Sequence, residues 1–240
     1  MVVLLKIKIN KPVLEPPNLV EEKELGSRGY RFIAGIDEVG RGALAGPVVA
    51  AAVILPQFTD FSRLGSVRES KQISPDKRGF LFGLIEEEAI AISVGIVAPE
   101  IIDSIGILNA TKIAMCRAVE QLACAPDFLL IDALTLPQLT TAQKGIIKGD
   151  RLCLSIACAS IIAKVTRDRI MLDIDKVYPD YGLASHKGYG TKQHFHCLYQ
   201  LGPSPVHRYS FSPVKEISTS NSQDANDRFT KSQKRHDNHE

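Results

Sequence analysis

The chain has 240 residues, of which 45% are hydrophobic, and its 29 basic and 27 acidic side chains leave a formal net charge of +2. That is room for one large domain or two small ones with a sizeable core, and it excludes a protein that engages nucleic acid through global charge; any such surface must be local. No apolar run reaches membrane-spanning length and the N-terminus does not resemble a signal peptide, so a cytosolic protein without a membrane partner is expected.

Residues 1–18, with Pro12, Pro16 and Pro17, read as an extended arm, and 19–29 as a short charged helix ending at glycine. Next comes RFIAGIDEVGRGALAG, residues 31–46: an apolar run that ends in adjacent carboxylates, Asp37 and Glu38, followed by Gly40, Arg41 and Gly42. Apolar residues on both faces belong to a strand in a covered sheet, and open α/β sheets place their sites at the carboxyl ends of strands. Successive side chains of a regular strand point to opposite faces, so Asp37 and Glu38 are expected to share a site only if the strand stops there. Taken alone, the stretch reads more readily as a strand capped by solvated acids before a turn. The glycines admit positive φ or close backbone approach, and the arginine between them offers a planar donor fork suited to phosphate.

Residues 47–55 read as a second buried strand antiparallel to the first, and 56–74 as a loop carrying Glu69, Ser70, Lys71 and Gln72. The Ser70–Lys71 pair is open to two readings, phosphate contact or plain solvation. Ser74 before Pro75 starts a helix running to about Ala89, and residues 91–97 form a third strand. Helices over 99–104 and 108–122 lead to DFLLID, residues 127–132, a second apolar strand ending in acid. Reached through a helical crossover, it is expected parallel to the first strand, about 4.8 Å away if adjacent, with Asp132 and Asp37 on one edge. A loop over 133–144 and a short strand over 145–148 precede the longest helix, about 151–177, opened by Lys148, Gly149 and Asp150. Asp150 alone reads more readily as an N-cap than as a ligand. Asp168, in the same helix, lies about 27 Å farther along at the usual rise and is excluded from the site.

Residues 181–211 interleave Lys187, Lys192, His194, His207 and Arg208 with Tyr181, Tyr189, Tyr209 and Phe211. That mixture suits a nucleic-acid groove, or equally a helical cap with a polar surface. From Lys215 onward the composition reads as a disordered tail. The five cysteines are odd in number, form no CxxC pair and stand at no zinc spacing with histidine; they are assigned no chemistry.

Four acids at element termini, with only oxygen donors, favour Mg²⁺ or Mn²⁺ over zinc. Such ions in a pair activate water and stabilise the leaving oxygen of an in-line phosphodiester displacement. There is no P-loop and no Ser-His-Asp arrangement, which argues against an NTPase or acyl-transfer hydrolase. Two rivals are weighed against a nuclease. A binding module that kept the fold but lost the reaction would not gather four acids that repel phosphate, and a small-molecule phosphatase would not need the cationic-aromatic segment.

GIDEVGRGALAGPVVAAAVIL, ESKQIS, LLID, KGD followed by SIACASIIAKVTRD, SHKGYGT and GPSPVHRYSF, in this order across roughly residues 19–214, resemble the bacterial ribonuclease HII family. The resemblance implies an RNase H-like α/β fold: a mixed central sheet flanked by helices, with a C-terminal helical extension from about residue 180. It implies a metal-dependent ribonuclease H that cleaves the RNA strand of RNA/DNA hybrids and acts at single ribonucleotides in duplex DNA, leaving 3′-hydroxyl and 5′-phosphate ends. Asp37, Glu38, Asp132 and Asp150 match the family's catalytic, metal-holding acids. Gly40, Arg41 and Gly42 match the turn that grips the ribonucleotide, Ser70 and Lys71 a backbone-contacting pair, and Tyr189 the tyrosine that stacks at the RNA–DNA junction. Contact with a 2′-hydroxyl is how one position is read as RNA. Asp150 and Arg41, and the short stretch before the first strand, separate the chain from ribonuclease HIII. Glu69 stands where the family often has aspartate. A monomer is expected.

Overall fold

The computed structural model describes residues 16–57, 61–68, 70 and 73–219. The two apolar runs that end in acid become adjacent parallel strands, β1 (Ile33–Val39) and β4 (Phe128–Asp132). With β2 (Val48–Ile54), β3 (Ala91–Val97) and β5 (Ala142–Ile146) they form one mixed sheet in the order β3-β2-β1-β4-β5. The β1–β2 and β2–β3 pairs are antiparallel and the β1–β4 and β4–β5 pairs parallel.

Both faces of the sheet are covered, which is why its central strands are apolar throughout. Around the sheet lie α1 (Val20–Ser27), α2 (Phe61–Leu64), α3 (Pro75–Glu88), α4 (Pro99–Ile105), α5 (Ile107–Glu120), α6 (Gly149–Leu152) and α7 (Leu154–Val177). Ala51 and Val53 of β2 face α3 and α7, whereas Val48, Ala50, Ala52 and Ile54 face α5, the period-two alternation of a strand. Each isoleucine or leucine fully withdrawn from water in these layers contributes roughly 1.5–3 kcal/mol. Gly35 lets α7 approach β1: a Cβ there would run into the backbone and hydroxyl of Ser155. Gly95 does the same for α5, where a Cβ would strike the carbonyl of Ala114.

Four expectations change in detail. The stretch 56–74 is not all loop but contains α2. The strand expected at 145–148 is β5, which begins earlier and ends at Ile146; it is an edge strand in which only Ile146 is buried, so no apolar run marks it. The helix expected to run unbroken from 151 is split at Cys153, whose backbone is extended (φ −105°, ψ 129°). The cause lies far away in the chain. Asn18 pairs there, donating to Leu152 O at 3.0 Å and accepting from Leu154 N at 2.9 Å, and the buried Glu22 accepts from Ser155 N at 3.0 Å. Donors freed at the start of α7 are thus satisfied by α1 and the residues before it. Lastly, the helix start at Lys148 (φ 58°) is the N-cap, so Asp150 sits inside the first turn of α6 rather than capping it.

The C-terminal extension comprises a 3-10 turn (Pro179–Tyr181), α8 (Leu183–His186), α9 (Lys192–Leu201) and helical residues 214–219. Val214 and Ile217 are buried against Leu44, Met171, Tyr181 and Leu198, so packing continues past the expected start of the tail at 215. The rest of that tail, from 220, and residues 1–15 of the arm lie outside the described residues. Among the described residues no helix is long and apolar enough to cross a membrane.

Candidate active site

β1 does not stop at Asp37, as sharing a site was expected to require; it pairs with β2 as far as Val39. Its pairing with β4, however, ends at Ile36 and Ile131. Asp37 and Glu38 lie just past that point, as does Asp132 at the end of β4. Ligand oxygens of Asp37, Glu38 and Asp132 all lie within 4.8 Å of one another. Asp132 Oδ1 accepts from Gly149 N at 2.7 Å, which fastens the start of α6 to the end of β4 and brings Asp150 onto the same cavity. Asp150 is on the wall of that cavity but not within the tight group of three.

The cavity, about 560 Å³, is lined by the four acids, the turn from Val39 to Gly42, Ser70, Ser160, Lys164 and Tyr189. Burial raises the Asp37 carboxyl well above the usual range, and the neighbouring Glu38 and Asp132 charges push it further; hydrogen bonds from Ser160 and Glu38 N pull back. Burial also raises Glu38, opposed by Arg41, whose guanidinium lies 3.1 Å from Glu38 Oε1. Glu38 Oε2 is buried and has no hydrogen-bond partner among the described residues. Three carboxylates this close ionise together only beside a cation, and an all-oxygen set with a spare buried lone pair suits Mg²⁺ or Mn²⁺.

The turn beside the acids is rigidly specified. Gly40 has φ 93°, and a Cβ there would meet Pro47 O at 2.9 Å as well as the side chain of Arg167. At Gly42, also on the cavity wall, a Cβ would meet nothing within 4 Å. Below the turn two arginines are fully buried, each at 0% exposure. Arg208 donates to Arg41 O at 2.9 Å and to Gly46 O at 2.9 and 3.1 Å. Arg167 donates to Pro47 O at 2.9 Å, Lys187 O at 2.9 Å and Ala45 O at 3.1 Å, and sits 5.4 Å from the centre of the Tyr189 ring.

Ser70 is buried on the cavity wall with its hydroxyl 2.9 Å from that of Ser160, while Lys71 and Glu69 lie outside the described residues. The nucleic-acid groove expected over 181–211 is corrected in its cations. His194, His207 and Arg208 are buried, and burial holds both imidazoles down to about 4, so they are internal hydrogen-bonding groups rather than phosphate contacts. Tyr181 is buried as well, and Tyr189 is the aromatic that reaches the cavity. Two lining residues were not read as part of the site in the sequence, Ser160, which reads there as a small packing residue of the long helix, and Lys164. Their signal was the spacing Ser160, Lys164, Asp168 at i, i+4, i+8, one stripe of α7 that starts at the cavity. Asp168, kept out of the site on distance, holds Lys164 Nζ at 2.7 Å.

A mixed sheet of this topology, with carboxylates gathered where two parallel strands end, fits the class of ribonuclease H-like, metal-dependent nucleases. Comparison with known proteins narrows the class. The family described as ribonuclease HII matches residues 34–214. A ribonuclease HII of Dehalococcoides mccartyi is 53% identical over 201 residues, covering 84% of this chain and 95% of that one. A ribonuclease HII of Listeria monocytogenes is 57% identical over 195 residues, covering 81% and 73% respectively. Among solved structures, the ribonuclease H2 of Pyrococcus horikoshii superposes with a TM-score of 0.66 at 25% identity, covering 78% of this chain and 97% of that one. The fold is shared also with the ribonuclease HIII crystallised in complex with Mn²⁺ (TM-score 0.62, 20% identity, covering 80% of this chain and 70% of that one). The chain belongs to the ribonuclease HII family, metal-dependent endoribonucleases that act on RNA/DNA hybrids.

Proposed function

We propose that this chain hydrolyses the RNA strand of RNA/DNA hybrids and cleaves 5′ of single ribonucleotides in duplex DNA, leaving 3′-hydroxyl and 5′-phosphate ends. The observation that carries the reading is the sharing of one cavity by the acid cluster, the open Gly40–Gly42 turn and Tyr189. Asp37, Glu38 and Asp132, with Asp150 on the wall, would hold Mg²⁺ or Mn²⁺. When bound, such an ion polarises a phosphoryl oxygen and lowers the pKa of water at its side.

The protein's own part is placement and selection. Gly42 leaves space for a sugar to approach the backbone, where contact with a 2′-hydroxyl separates ribose from deoxyribose. Arg41, steadied by Glu38, presents a fork for the adjacent phosphate. Lys164, Ser70 and Lys71 extend that contact along the backbone, and the Tyr189 ring stacks on the sugar beyond the junction. The chain is proposed to act as a monomer in the cytosol.

The test is a gel assay on duplex DNA carrying one ribonucleotide, with and without Mg²⁺ or Mn²⁺. Cleavage on the 5′ side of the ribonucleotide, only with metal, is the expected result; metal-independent products, or binding with no cleavage under any divalent ion, would refute the reading.

A further inference from the structure

The carbonyl of Tyr189 is the end point of a buried chain of hydrogen bonds whose proton order is fixed from both ends. His194 Nδ1 lies 3.0 Å from Tyr189 O, which can only accept, so Nδ1 carries the proton and Nε2 is an acceptor. His194 Nε2 lies 3.0 Å from His207 Nε2, which must therefore carry a proton, leaving His207 Nδ1 as an acceptor. At the far end Ser204 N, which can only donate, lies 3.0 Å from His207 Nδ1, and the Ser204 hydroxyl lies 2.8 Å from it. The remaining neighbour of that nitrogen, Ser204 O at 3.3 Å, already accepts from His207 N at 2.9 Å. Both ends demand the same tautomers. His186 stacks on His194 with ring centres 4.4 Å apart, which closes one side of the chain.

This chain bridges two parts of the cavity's frame. Thr191 N holds the same Tyr189 carbonyl at 2.8 Å, but that bond is local to the loop. The histidines instead tie Tyr189 to the 204–208 segment. There His207 pairs with Ala45, and Arg208 N donates to Leu44 O at 2.8 Å just beyond the Gly40–Gly42 turn. On the opposite side Ala43 pairs with Tyr189 itself. The tyrosine and the turn are therefore registered twice, directly through Ala43 and Leu44 and, by a second route, through the histidine pair.

We propose that His194 and His207 are positioning residues, which set the spacing between Tyr189 and the Gly40–Gly42 turn and so the preference for an RNA–DNA junction. This rests on the proposed role of Tyr189, and the experiment separates the two.

In the full chain, His207→Phe removes the donor while keeping a ring of similar size, and His207→Gln restores an N–H near the Nε2 position. His207→Phe also removes the Nδ1 acceptor of Ser204 N, which Gln does not restore, so the Phe-to-Gln difference reads the bond to His194. Losing that bond is expected to raise KM on the one-ribonucleotide duplex by roughly tenfold with kcat little changed, and Gln is expected to recover most of it. In a double-mutant cycle, His207→Phe should add nothing once Tyr189→Ala is present. Additive losses in the cycle, or Gln no better than Phe, would show a packing role and overturn the proposal. The wild-type protein supplies a measurement independent of folding in the variants. Imidazole ¹⁵N spectra should show His194 protonated at Nδ1 and His207 at Nε2; the opposite tautomers would also overturn it. If the spectra and the Gln recovery hold but Tyr189→Ala leaves junction preference intact, the substrate reading fails and not the histidine chain.

Discussion

The two walls of the cavity are built on opposite electrostatic plans. On the sheet side, Asp37 and Glu38 are drawn out of water beside Asp132, Glu38 Oε2 finds no donor among the described residues, and both carboxyls are raised, chiefly by burial. On the side of the C-terminal extension, Arg167 and Arg208 are completely buried, yet their guanidiniums are satisfied by five main-chain carbonyl contacts from the 41–47 turn and one from Lys187. One wall is left incomplete for an external cation, and the other is complete without an anion. In the proposed reading the first plan serves the chemistry and the second holds the turn that selects the site.

The difference can be broken from either side. The largest expected effect is Asp37→Asn, which should cut cleavage by about a thousandfold or more while leaving hybrid affinity near wild type, since a phosphate-repelling charge has been removed. Activity assays paired with fluorescence-anisotropy binding check it; a parallel loss of both would mean that the fold, not the ion site, was damaged. Next is Arg208→Met, which strips the donors from Arg41 O and Gly46 O and should cost about 2–4 kcal/mol in urea unfolding. An unchanged midpoint would show that the carbonyls find other partners. The asymmetry of the turn gives a sharper pair. Gly42→Ala has free space and should fold as wild type, yet lose roughly tenfold in kcat/KM on the one-ribonucleotide duplex as its methyl meets the sugar; Gly40→Ala, at positive φ, should lose about 1–3 kcal/mol of stability.

A change of pH also separates the walls. Burial holds His194 and His207 at about 4, below the ordinary 6.5 of an unfolded histidine. Their contribution is therefore present above pH 6.5 and is lost as pH falls toward 4, roughly 3 kcal/mol for each imidazole if they acted independently. Because a proton on either ring would set two N–H groups against each other, the pair is expected to give way together, and less than additively. Unfolding followed from pH 7 to pH 4 should show this decline in the wild type and less of it in His207→Phe.

Much of the first wall was legible in the sequence. An apolar run ending in acid occurs twice, at Asp37 and at Asp132; a covered sheet needs the apolar run, and a site at its carboxyl edge needs the acid. The second wall was not. Cations interleaved with aromatics over 181–211 give the same pattern whether they face phosphate or each other, and only the carbonyls of residues 41–47, far away in the chain, decide for Arg208. The same distance explains the unread break at Cys153, which exists because Asn18 pairs there, and the early start of β5, whose exposed residues carry no apolar signal. Lys164 was visible as spacing but not as function, since a charged stripe on a helix is ordinarily solvated.

The account turns on whether the gathered acids take up a divalent ion, and Mn²⁺ titration followed by electron paramagnetic resonance reads this without any turnover. The wild-type protein should deplete the free Mn²⁺ signal, and Asp132→Asn should leave it close to that of buffer. An Asp132→Asn protein that binds Mn²⁺ as wild type does, and still cleaves the one-ribonucleotide duplex, would contradict it.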